Sequence, residues 1–126
     1  MEARSAAFGP AQRLLKASEF NRVFKQGRRL SQPELTLAYR VRPSRDGKIY
    51  PPRLGLSVSR KVGGAVQRNV LKRRIREIFR LNQIQLVQGV ELVVIPRKEA
   101  GDLSYQELEK RIFMLFERGK LLIRAS

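Results

Sequence analysis

The chain has 126 residues and 42% hydrophobic content, enough for one domain with one modest core and too apolar for a disordered basic tail. Its 27 Lys and Arg against 11 Asp and Glu leave a formal charge of +16, an excess that repels itself in a compact fold and points to a polyanionic partner. The absence of Cys and His excludes disulfides, thiolate zinc sites and the Ser-His and Cys-His catalytic pairs.

In chain order, residues 1–11 read as a flexible N-terminal arm, with no apolar run of the kind that a signal peptide carries. No stretch is apolar for the length that a membrane span needs, so a cytoplasmic location without a membrane is expected. Ser18 is a candidate N-cap for a short helix from Ala17 to Gln26, with Phe20, Val23 and Phe24 at helical spacing and Gly27 as its stop. Leu35 to Val41 alternates with period two, as a half-buried strand does. Pro43 to Pro52 is a loop, with a second strand that could begin near its end and that Pro51 and Pro52 would make an edge strand. Arg53 to Ser59 alternates again: Leu54, Leu56 and Val58 share one face, and Gly55, Ser57 and Ser59 the other. After Gly63 and Gly64, the spacing predicts a helix from Ala65 to Gln83 with Leu71, Ile75, Ile78 and Phe79 in one apolar stripe. Val90 to Ile95 is a strand buried by composition. Ser104 and Glu107 form a capping box for a last helix, whose stripe is Leu108, Ile112, Leu115 and Phe116 and whose end is Gly119. The order is that of an α+β sandwich, with helices packed on one sheet.

Charge concentrates between Arg53 and Arg80, where nine basic residues stand with the single acid Glu77. At 100° per residue, Arg68, Asn69, Lys72, Arg73, Arg76 and Arg80 share an arc of roughly 140°, beside the apolar stripe. A helix pinned by that stripe turns a rigid row of cations outward, an arrangement that suits a phosphate backbone. An ordinary solvated face mixes signs at i, i+4, which this one does not. Membrane-surface or calmodulin-type binding needs an exposed apolar face, and here the stripe has a sheet to cover. The small sheet face of Thr36, Gly55, Ser57 and Ser59 leaves a shallow groove. Phe20 and Phe24 either wall it, offering rings to unpaired bases, or belong to the core. Glu99, Asp102, Glu107 and Glu109 read as capping and dipole partners rather than as a metal site. These features alone also fit a ribosomal or other structural RNA-binding protein, and they do not separate RNA from DNA.

The segment Ser57-Val-Ser-Arg-Lys-Val-Gly-Gly-Ala-Val-Gln-Arg-Asn-Val-Leu-Lys-Arg-Arg-Ile-Arg-Glu77 resembles the signature of the bacterial ribonuclease P protein family. Leu14 to Gly27, Leu92 to Pro96 and Ser104 to Phe116 extend the likeness over about residues 12–118. Two positions depart from the pattern: Val70 stands where the family carries a cation, and Gly64 where Asn is frequent. The family's aromatic in the first strand also aligns with Ala38, one place before Tyr39.

The resemblance implies a single domain over 12–120 with a tail at 121–126. Its central four-stranded sheet carries three helices and a left-handed β-α-β crossover, the class of the second domain of ribosomal protein S5. It implies a ribonuclease P subunit that is not catalytic alone, with no obligate protein partner. Its RNA partners are the catalytic RNA and precursor tRNA, and Mg²⁺ is held mainly by RNA. Carried over by motif, Arg60, Lys61, Arg68, Asn69, Lys72, Arg73 and Arg76 hold the catalytic RNA. Phe20, Phe24, Thr36, Ser57 and Ser59 line the groove for the 5′ leader.

Overall fold

The computed structural model describes Gly9 and residues 12–123, so most of the expected arm at 1–11 lies outside the described residues. Helix α1 (Ala17–Gln26) is followed by strands β1 (Arg28–Ser31), β2 (Leu35–Val41) and β3 (Arg53–Leu56). Helix α2 (Ala65–Asn82), strand β4 (Val90–Pro96) and helix α3 (Tyr105–Arg118) complete the chain. The four strands form one sheet in the order β1-β2-β4-β3. β2 pairs antiparallel with β1 and β4, whereas β3 runs parallel to β4, joined to it through α2.

Three expectations require correction. The strand sought near Pro51 and Pro52 is absent there among the described residues. The extra strand is Arg28–Ser31, before β2. Its sequence RRLS has one apolar residue and a mostly exposed pattern, so no alternation reveals it; it forms because Gly27 turns the chain back against β2. A Cβ at Gly27 would meet the Tyr39 carbonyl oxygen at 2.1 Å, so only glycine allows this approach. The N-cap of α1 is Lys16, not Ser18: the Glu19 carboxylate reaches back to accept from the backbone N–H groups of Leu15 and Lys16, at 3.0 and 3.1 Å. The domain also continues past Lys120. Leu121 is 2% exposed in the core, and Leu122 bridges Leu86, because the chain after Gly119 folds back against Gln85 to Val87.

The sheet has a helix layer on each face. On one, Leu35, Leu37, Leu54, Leu92 and Val94 meet the expected stripes of α2 and α3. Burying these side chains stabilises each by about 1.5–3 kcal/mol before entropy is counted. β4 lies between β2 and β3 and is buried at all but one position, which explains its unbroken apolar sequence. On the other face, α1 sets Val23 against Leu14, Ala38 and Val93, with Phe20, Phe24 and Ile95 partly buried around them.

Candidate nucleic-acid interface

The lower end of the α1 face is fastened by charge. Arg53 donates to Glu19 at 2.5 Å and to Glu91 at 3.4 Å, while Arg40 donates to Glu91 at 2.9 Å and to Gln26 at 3.1 Å. Glu91 is 3% exposed, and both its oxygens are taken by these guanidiniums, as a buried carboxylate requires. Burial pushes the Glu19 carboxyl up, but the two backbone N–H groups and Arg53 outweigh it and hold the group down at about 2. These contacts fasten α1 to the sheet near both its ends, through Glu19 at its start and Gln26 at its last residue.

Phe20 and Phe24 pack on this face from α1, their ring centroids 6.4 Å apart. Both are half-buried, so each is at once core and wall. Phe20 lies on Gly55, where a Cβ would stand 2.7 Å from its Cζ. Thr36 is buried, and its hydroxyl is engaged by Ser31 at 3.0 Å and Arg97 at 3.4 Å. Ser57 is exposed beyond the end of β3, its N–H donating to Val94 at 3.1 Å. Ser59 departs from the expected face. β3 stops at Leu56, so alternation ends before Ser59, whose hydroxyl instead accepts from the Lys61 N–H and caps the turn Arg60–Val62.

On the opposite side of β3, α2 is pinned by Leu71, Ile75, Ile78 and Phe79, as its phase requires. Asn69, Arg73 and Arg76 are exposed, with Arg68 and Lys72 at intermediate depth along the same arc, and Arg60 and Lys61 are exposed on the turn before it. Among the described residues, none of these cations forms an ion pair. Arg80 is different: Glu77 binds it at 2.6 Å, which removes it from the unpaired row. Arg74 is also set aside, turned toward the Leu103 carbonyl at 3.4 Å. Gln67 closes the helix start by accepting from the Gly64 N–H at 2.6 Å, which offsets the lack of a side-chain cap at Gly64. Val70 lies off the row, lining a cavity of about 350 Å³ with Val62, Val66 and Ala100.

The groove and the basic row meet at the β3 edge. A cleft of about 240 Å³ is lined by Leu14, Phe20, Gly55 and Leu56 from one side and by Lys72 and Arg76 of α2 from the other. Arg13 also lines this cleft, its neighbour Leu14 donating to the Leu54 carbonyl at 2.9 Å. Arg29 stands over the Phe24 ring at 4.8 Å. Sequence reasoning left out Arg13, Arg29, Ile95 and Arg97. Arg29 and the partner of Thr36 become visible only once β1 is known to pair with β2. The acidic residues near α3 serve the helix, with Glu107 and Ser104 exchanging bonds of 2.9 and 3.1 Å and Glu109 accepting from Asn82 at 3.3 Å.

Comparison with known proteins agrees with this architecture. The family model "Ribonuclease P" matches residues 8–120. The ribonuclease P protein component of Ectopseudomonas mendocina is 43% identical over 117 residues, covering 90% of this chain and 82% of that protein. That of Bacillus pumilus is 39% identical over 107 residues, covering 85% and 87%. Among solved structures, the RNase P protein of Staphylococcus aureus superposes with a TM-score of 0.77 at 27% identity, covering 89% of this chain and 98% of that one. The RNase P protein of Thermotoga maritima gives 0.72 at 33%, covering 90% and 98%.

Proposed function

This chain belongs to the ribonuclease P protein family, and from that premise we propose that it acts by holding two RNA segments in fixed relation. Arg68, Asn69, Lys72, Arg73 and Arg76, with Arg60 and Lys61 beside them, bind the phosphates of the catalytic RNA. Phe20, Phe24 and Ser57 receive the unpaired 5′ leader of precursor tRNA, and Thr36 helps to shape the groove floor. One observation carries the reading: the cleft in which Phe20 and Gly55 face Lys72 and Arg76, so that one ligand surface runs from the aromatic groove to the cationic helix. Half-buried rings offer faces for stacking, and unpaired cations gain from counterion release.

Leader removal is hydrolysis of a phosphodiester bond, and this chain's part in it is to bind and orient. Among the described residues, no three His, Cys, Asp or Glu stand close enough to hold a metal ion. In this reading Mg²⁺ and the bond cleavage belong to the RNA. Among those residues, too, no helix is long and apolar enough to cross a membrane.

Reconstitution tests the assignment. Precursor tRNA is incubated at low Mg²⁺ with a bacterial ribonuclease P RNA, with and without the protein. The expected result is cleavage that needs the RNA and is stimulated by the protein. Cleavage by the protein alone would overturn the reading.

A further inference from the structure

A second concentration of positive charge lies at the other end of the sheet, away from α2's first turn. Strand β2 ends at Val41 opposite the start of β4 at Val90, and the chain continues through Arg42, Pro43 and Arg45. A cavity of about 220 Å³ there is lined by Arg40, Arg42, Pro43, Arg45 and Tyr50. It adjoins a second of about 340 Å³, which shares Arg40 and Pro43 and reaches Arg28. The acids nearby are Glu91, already saturated by Arg40 and Arg53, and Asp46 in the turn itself. Among the described residues, neither Arg42 nor Arg45 forms an ion pair.

The position of Arg42 is built rather than left to the loop, and Arg45 follows it in the exposed turn. The Arg42 guanidinium sits 3.7 Å from the centroid of the Tyr50 ring. Both residues are tied to Gly89: the Arg42 N–H donates to the Gly89 carbonyl at 2.8 Å, and the Gly89 N–H donates to the Tyr50 carbonyl at 2.8 Å. Gly89 has φ of +80°, and a Cβ there would stand 2.7 Å from the Arg42 carbonyl oxygen, so glycine makes this junction possible. Holding unneutralised guanidiniums in one concavity costs stability unless an anion offsets the repulsion.

We propose that Arg42, positioned by Tyr50 and Gly89, and Arg45, which lines the same cavity, form a second phosphate-binding site for RNA. The inference rests on the RNA-binding reading above. α2 is 18 residues long, about 27 Å, and begins near the opposite end of the sheet. A phosphate at this site is therefore held well apart from one at Arg68, and the chain grips RNA at both ends. The shared chemistry is a phosphodiester backbone, contributed either by the catalytic RNA or by the precursor tRNA.

The test compares the full chain with Arg42→Gln/Arg45→Gln and, separately, Lys72→Ala/Arg73→Ala. Binding to a transcribed bacterial ribonuclease P RNA is measured across salt concentrations, with and without precursor tRNA. The Arg42/Arg45 variant should bind about tenfold more weakly and lose about 1.5 units of log–log salt slope. Loss with the catalytic RNA alone assigns the site to that RNA; loss only with precursor tRNA present assigns it to the substrate. An unchanged slope in both arms, while the Lys72/Arg73 variant loses its share, overturns this site alone. Unchanged slopes in both variants overturn the RNA-binding reading with it. Should the double variant not fold, Arg45→Gln in the exposed turn carries the test, with an expected loss of about 0.8 units and an unchanged slope again overturning the site.

Discussion

At the scale of single residues, Glu19 shows how one carboxylate joins three parts of the chain. It closes the N-terminus of α1, accepts from Arg53 on β3, and through Arg53 is linked to Glu91 on β4. Its carboxyl titrates at about 2 in the folded chain against an ordinary 4.5. A lowered folded value contributes stability that is complete above about 4.5 and is lost as pH falls through about 2. Glu19→Gln should therefore cost about 2 kcal/mol at pH 7, with the difference from wild type shrinking toward pH 2. Urea denaturation of both proteins at pH 7 and pH 2.5 checks this, and a gap independent of pH would remove the charge from the explanation. Gly55 carries a second prediction. Because a Cβ there would press on Phe20, Gly55→Ala should destabilise by about 1–2 kcal/mol. In a Phe20→Ala background that cost should largely vanish, and a double-mutant cycle without such coupling would show that Phe20 is not seated on Gly55.

At the scale of elements, α2 is asked to do two things on adjoining arcs. Leu71, Ile75, Ile78 and Phe79 hold it to the sheet, and their burial supplies the rigidity that the cations need. Lys72→Ala/Arg73→Ala leaves that stripe intact, so melting temperature should stay near wild type. The salt dependence of RNA binding should flatten by about one unit of slope per lost contact. An unchanged slope would take this helix out of the interface. Helix α1 divides its roles differently, along its length. Its N-terminal end is fastened to the sheet through Glu19 and Arg53, while its two phenylalanines are half-buried against the sheet and Phe20 also lines the cleft at β3.

At the scale of the whole molecule, the sheet separates two helix layers, and at β3 on its edge a cleft joins the side of Phe20 to the cations of α2. In the function proposed above, this geometry offers an aromatic groove and a cationic helix to one ligand. The last described residues close the structure: Leu121 is buried, Val87 donates to its carbonyl at 2.8 Å, and Ile123 donates to Gln85 at 2.7 Å. Ending the chain at Lys120 should therefore cost about 3 kcal/mol, the range for losing one buried leucine. Thermal or chemical denaturation of the shortened chain reads this directly, and wild-type stability would return these residues to the status of a tail.

Local pattern made the three helices legible, along with the strands at Leu35 and Val90, the buried stripe of α2 and the direction of its cations. Periodicity and charge are properties of neighbours along one element, so they survive in the linear order. The motif around Arg68 and Asn69 added the family. Other features depended on residues far apart in sequence. β1 exists because it pairs with β2, and Arg28 to Ser31 carry no pattern of their own. Ser59 left the groove face because β3 stops at Leu56, and Leu121 entered the core because the chain turns back toward Leu86. Arg80 was withdrawn from the cationic row by Glu77, and Arg40 and Arg53 by Glu91, while Arg68, Lys72, Arg73 and Arg76 kept their charge unpaired among the described residues. Composition counts cations; which of them stay free for a phosphate is decided by the carboxylates that folding brings within reach.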